Sequence, residues 1–277
     1  MTEATKLFNL ICVIFILLLA LASSFGGVIG ELIRYLAFLI PTVIGFYYSK
    51  DLQIKREEVK GVAEAPDALL DFDRKRVKLL LPIIAPVILV VFLTSLLTSF
   101  VLSLFGIVSA PVEDACIVKM LLLHALIPAV LEEALFRYIP LKLMRPYSKK
   151  WCILYSSFCF ALIHCSFGQM PYAFVAGFAF MLVDIVFGSV WPSVILHLLN
   201  NATSVVFMKY ASGVGAATAF VGALVALALV SFVFIFKKRG EYRSMLRGAF
   251  EIGERHDAIN LPIILMVVCF YLAWTAL

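Results

Sequence analysis

The sequence predicts an all-α polytopic membrane protein, a bundle of about eight or nine transmembrane helices around a polar intramembrane cavity. Three observations lead there. Of the 277 residues, 63% are hydrophobic and 15% charged, above the roughly 45–50% apolar share of soluble domains, and the mean hydropathy is +1.04. The apolar residues gather into runs of about 20, the length that crosses a hydrocarbon core as a helix, not into the short alternating strands of a membrane barrel. The cations, finally, concentrate in a subset of the loops between those runs.

In chain order the runs fall at 7–25, 28–48, 79–105, 117–140, 151–168, 171–188, 192–209, 214–236 and 261–277. The first is read as a retained span, because Ala20-Leu21-Ala22 is a weak match to a signal-peptide cleavage site. Residues 49–78 hold eight Lys or Arg, residues 141–150 four and residues 237–260 six, whereas the loops near 26–27, 106–116 and 169–171 hold none. Nine spans with the N-terminus in the cytoplasm put every basic loop on the inner side. The net charge of +5 is then a topology signal with some affinity for anionic lipid, and no nucleic-acid partner is implied. Val59–Leu70 shows no clean period and reads as irregular. Residues 241–252 place Tyr242, Met245, Leu246, Ala249 and Phe250 at helical spacing with Arg243 and Arg247 on another face, the pattern of a helix lying on the membrane surface. The six cysteines lie mostly inside apolar segments with no CxxC pair, so they read as small core residues, neither a disulfide framework nor a thiolate metal site.

The fourth run is unlike the rest. Leu126–Pro140 is apolar enough for lipid but carries Glu132, Glu133 and Arg137, and each ionised group at bilayer depth costs at least roughly 2.5–3.5 kcal/mol. On one helix Glu133 and Arg137 lie a turn apart and can pair, while Glu132 points about 100° away and is left free. A carboxylate without its own cation in such a setting suits proton transfer. The alternative is an ion-pair cluster that only fixes helix packing.

Two further runs carry polar groups. The fifth holds Phe160-Ala161-Leu162-Ile163-His164, with the histidine deep in apolar sequence; a hydrogen-bonded core histidine is the plainer reading of it alone. In the seventh, His197 and Asn201 are i and i+4 and project from one face, so they can donate two hydrogen bonds to one point, as an oxyanion requires. Asn200 beside them suits interhelical hydrogen bonding. Together these residues meet the needs of peptide hydrolysis by water: Glu132 as general base, His164 to orient the water, His197 and Asn201 for the oxyanion, and Glu133 with Arg137 in support. No serine with an adjacent base competes as nucleophile.

The motifs Glu132-Glu133-x-x-x-Arg137, Phe160-x-x-x-His164 and His197-x-x-x-Asn201 resemble those of the CAAX prenyl endopeptidase and bacteriocin-processing (CPBP, or Abi) intramembrane proteases. Gly188–His197 is similar to that family's lead-in to its third motif. The resemblance covers roughly 115–210 and implies the same roles: Glu132 and His164 activating water, His197 and Asn201 forming the oxyanion hole, Glu133 and Arg137 supporting. It also implies peptide or protein substrates at the membrane, prenylated C-terminal CaaX sequences among the candidates, and an active site reached from the cytoplasmic side. The chain then divides into N-terminal spans with a basic loop (1–110), a catalytic helical core (111–210) and C-terminal spans with a second basic loop (211–277). Asp184 departs from the family pattern. It can serve as a partner of a catalytic histidine or as an inner-surface anchor, and its place near the end of its span favours the anchor.

No cofactor is expected. Two histidines and a glutamate could hold Zn2+ with an open fourth position, but a single-helix HExxH is absent and Asn201 would be an odd ligand. The competing function is a catalytically silent membrane scaffold or bacteriocin-immunity partner in which the same residues pack the bundle. A transporter is disfavoured by the absence of inverted repeats.

Overall fold

The computed structural model describes residues 3–60, 68–71, 74–107, 116–143, 149–164 and 166–249. Among them every regular element is helical. The ninth apolar run, 261–277, lies outside the described residues, as does Phe250.

The chain begins with two antiparallel helices, α1 (Glu3–Ser23) and α2 (Gly27–Lys60), joined through Gly27 at φ 60°. α2 outruns the expected span. Its 34 residues would measure about 51 Å, because Asp51–Lys60 is polar yet rich in Gln, Lys, Arg and Glu, all good helix formers. The first third of the loop expected at 49–78 is therefore helix. A short 3-10 turn at Ala68–Leu70 precedes α3 (Arg74–Leu104), which carries Pro82 and Pro86 inside it. Membrane helices tolerate such prolines where neighbours satisfy the freed backbone.

The run expected as one regular helix at 117–140 is instead interrupted twice. α4 (Ile117–Leu121), a π turn at Leu122–Leu126, α5 (Ile127–Glu133), a second π turn at Ala134–Tyr138 and α6 (Ile139–Leu143) follow one another without a break. The remaining helices are α7 (Lys149–Leu162), α8 (Met170–Phe187), α9 (Trp191–Tyr210), α10 (Val214–Lys237) and α11 (Arg239–Ala249).

Five described helices are long and apolar enough to cross a membrane: Lys6–Ser23, Gly27–Ser49, Arg76–Leu104, Met170–Phe187 and Val214–Lys237. The molecule is a polytopic membrane protein. Three runs expected to span do not qualify, for visible reasons. Residues 117–143 are broken by the π turns; α7 has 14 residues, about 21 Å against a hydrocarbon core of about 30 Å; α9 carries His197, Asn200 and Asn201. These are the helices that hold the candidate site.

α8 lies at the middle. One apolar cluster joins it to α1, α7 and the interrupted helix through Phe8, Phe15, Phe136, Phe160 and Met181; a second joins it to α3 and α9 through Leu80, Val91, Phe180, Phe187 and Leu196. Gly177 sets the α7–α8 spacing: a Cβ there would stand 3.0 Å from the Ser157 Cα. α10 is the opposite case. Ala228 is its one buried residue, and the exposed leucines, valines and phenylalanines suit lipid as their solvent.

The start of α3, the α8–α9 turn and α11 share one end of the molecule. α8 stops at Gly188, φ 67°, in the left-handed region that glycine enters at little cost. Arg76 donates to the Phe187 carbonyl, the Val190 N–H to Leu69 O at 3.0 Å, and the Trp191 indole to Leu70 O at 2.8 Å.

Candidate active site

Glu132 and Glu133 close α5, where the second π turn begins. Glu133 and Arg137 are both fully buried, with Arg137 Nε 3.2 Å from Glu133 Oε2, so the pair expected from the i, i+4 spacing forms. The guanidinium stacks 4.4 Å from the Phe160 ring centroid and donates through Nη1 to the Phe136 carbonyl at 3.2 Å. Burying two charges is costly, and an ion pair with further contacts is how a helix bundle tolerates it.

His197 projects from α9 between the two carboxylates. Its Nδ1 lies 2.7 Å from Glu133 Oε1, and its Nε2 lies 3.8 Å from Glu132 Oε2. An ionised carboxylate only accepts, so Nδ1 carries the hydrogen and Nε2 faces Glu132. The ring is held edge-on by Phe160 at 5.9 Å and tilted against Phe180 at 5.6 Å. The contact with Glu133 was not expected: the sequence reading gave Glu133 only to Arg137. No local spacing signals it, since the partners are 64 residues apart.

His164 sits just past the end of α7, in a turn and not deep in a span as expected. Its Nδ1 lies 2.8 Å from the Phe160 carbonyl. A carbonyl cannot donate, so this nitrogen is the N–H and Nε2 remains for the site. His164 is within electrostatic reach of both Glu132 and His197. Phe160 thus touches three site residues, Arg137, His164 and His197, which accounts for the phenylalanine of the second motif.

Asn201 is half-buried and Asn200 is the more buried of the two. The Asn200 amide donates to Asn201 Oδ1 at 3.3 Å, which leaves the Asn201 NH2 as a donor. No hydrogen bond joins Asn201 to the carboxylates or histidines among the described residues. The structure therefore gathers Glu132, Glu133, Arg137, His164 and His197, with Asn201 one turn on from His197.

Asp184 is fully buried, which corrects its reading as an inner-surface anchor. Its Oδ1 accepts the Ser193 N–H at 2.9 Å. α9 has no side-chain cap of its own at Val190, so Asp184 supplies an acceptor and a negative charge where the helix start needs both. Ser193 in turn donates its hydroxyl to Val190 O at 2.9 Å and lies against both the Asp184 and Glu133 carboxylates. The sequence signal was available: Val190 cannot cap a helix that opens Trp191-Pro192-Ser193, so a nearby acidic residue is the natural substitute.

Among the described residues no group of three or more His, Cys, Asp or Glu is placed to hold a metal ion. Paired carboxylates and imidazoles are thus buried side by side where the interrupted helix, α7 and α9 meet. The family model for Rce1-like proteins, described as type II CAAX prenyl endopeptidase Rce1-like, matches residues 114–203, about a third of the chain. That segment contains every site residue from Glu132 to Asn201, and over it the chain is similar to this family. Neither a curated protein nor a solved structure matches the chain.

Proposed function

We propose that the protein is an intramembrane endopeptidase that hydrolyses peptide bonds of membrane-associated substrates. The observation that carries this reading is His197 held through Nδ1 by Glu133 while its Nε2 faces Glu132. A catalytic site needs that asymmetry, with one carboxylate spent on fixing an imidazole and the other free. Glu132 takes a proton from water as the oxygen bonds to the scissile carbonyl carbon, and His164 orients that water. With both ring nitrogens protonated, His197 keeps Nδ1 on Glu133 and donates through Nε2 to the oxyanion, as does the Asn201 amide. The C–N bond then breaks as the proton held by Glu132 passes to the leaving amine. Glu133 and Arg137 act by positioning.

The family match favours CaaX-type C-terminal sequences as substrates. The basic loops favour an N-terminus in the cytoplasm and a site open to that side. In this mechanism Glu132 activates the water without a metal.

The test is reconstitution of the full chain in liposomes with a C-terminal CaaX peptide, farnesylated or not. The released C-terminal fragment is measured by mass spectrometry with and without chelator. Release of the fragment, preferred for the farnesylated peptide and unchanged by chelator, is the expected outcome. Loss with chelator and recovery with zinc would replace the metal-free mechanism, and no cleavage of either peptide would remove the CaaX assignment.

A further inference from the structure

A cavity lies away from the candidate site, at the end of the molecule shared by the start of α3, the α8–α9 turn and α11. Its volume is about 660 Å³, and its walls include Arg76 and Leu79 of α3, Lys149 of α7, Ile185 and Val186 of α8 and Met245 of α11. α11 forms its roof, tied down by the buried Tyr242, whose hydroxyl donates to Leu79 O at 2.7 Å. The outer face of α11 exposes Arg239, Arg243 and Arg247.

The neighbouring side chains mark where the cavity sits in a bilayer. At the end of α10, Lys237 lies over Phe234 at 5.9 Å, and Arg239, which opens α11, over Phe236 at 4.4 Å. Trp191 at the start of α9 is 44% exposed with its indole N–H on Leu70 O. Cations laid back over aromatic rings, together with an exposed tryptophan, belong at the polar–apolar boundary.

The lining is graded along the same direction. Leu79 is one turn further into α3 than Arg76, and Ile185 and Val186 precede the end of α8, so the apolar wall is the deeper one. Arg76 spends one N–H on Phe187 O and keeps other donors of its five. Glu241 on the rim is matched by Lys238 at 2.5 Å, so Arg76 and Lys149 are left in excess.

We infer that this cavity binds one anionic phospholipid, its phosphate on Arg76 and Lys149 and the start of its acyl chains along Leu79, Val186 and Met245. Cations at the mouth and aliphatic side chains below match an anionic amphiphile, and a free anion would leave the apolar wall unused.

The test is the melting temperature of the purified full chain in neutral detergent, titrated with phosphatidylglycerol, phosphatidylcholine or inorganic phosphate. Phosphatidylglycerol should raise the melting temperature saturably, with the other two giving little shift. Lys149→Gln should weaken the apparent affinity at least about fivefold, the loss expected for one interfacial cation. Ser244→Trp, which fills the cavity from its exposed rim, should abolish the shift without touching a cation. Arg243→Gln, on the outer face of α11, should leave it unchanged. An equal shift with phosphatidylcholine, an equal shift with phosphate, or Lys149→Gln and Ser244→Trp both behaving as wild type would overturn the inference. So would Arg243→Gln losing as much as Lys149→Gln, since surface charge alone would then explain the binding.

Discussion

In the proposed mechanism His197 shapes the oxyanion site; it is held by Glu133, itself paired with Arg137, and it stands on a helix whose start Asp184 caps. Arg137→Ala leaves the fully buried Glu133 without its cation, a change that typically costs about 3–5 kcal/mol; a large fall in folded yield and melting temperature is expected, and normal melting would show the pair to be dispensable. Asp184→Ala removes the acceptor at the start of α9 and should cost about 1–2 kcal/mol. Asp184→Asn keeps an acceptor oxygen and should recover much of that loss, which thermal melts of the two variants will show. Asn201→Ala removes a donor used only when charge develops and should lower turnover by about 10²–10³ with KM little changed. Asn200, expected from sequence to be helix glue, donates to Asn201, so Asn200→Ala should fall between Asn201→Ala and wild type in the same assay. The Glu133–Arg137 pair was legible in the sequence because both ends lie on one helix turn. The Glu133–His197 and Asp184–Ser193 contacts were not, because they exist only once α5, α8 and α9 are packed.

The helices divide by what surrounds them. The five long apolar ones were legible from composition, since burial in lipid asks only for length and hydrophobicity. The interrupted helix was not, because nothing in Leu122–Leu126 or Ala134–Tyr138 distinguishes a π turn from an α turn by residue type. Such turns occur often at functional sites, and here they bracket the segment that ends in Glu132 and Glu133. α8 carries the packing load between the two clusters, and Gly177 is its point of closest approach to α7. Gly177→Val would press a branched side chain on the Ser157 backbone and should destabilise by about 1–3 kcal/mol, read as a lower melting temperature. A variant that melts like wild type would mean that α7 and α8 can separate freely.

At the scale of the whole molecule, the start of α3, the start of α7 and α11 meet around Arg76 and Lys149. Membrane sidedness was read from the basic loops, and it can be measured. In a cysteine-free background, Ser212→Cys, at the α9–α10 turn, should react with a membrane-impermeant thiol reagent added outside intact cells. Ser244→Cys, on α11, should react only after permeabilisation. The reverse pattern would turn the molecule over and with it the cytoplasmic opening of the site.

The central claim, that Glu132 moves the proton while its neighbour positions the imidazole, is tested most directly by hydrolysis rates of wild type, Glu132→Gln and Glu133→Gln in the same liposomes on the same peptide. Removing a general base costs about 10²–10⁴ in rate, so Glu132→Gln should lose at least about 100-fold with peptide binding retained. Glu133→Gln keeps an oxygen that can accept from His197 Nδ1 and should lose less. A Glu132→Gln protein that cleaves at the wild-type rate would contradict the claim.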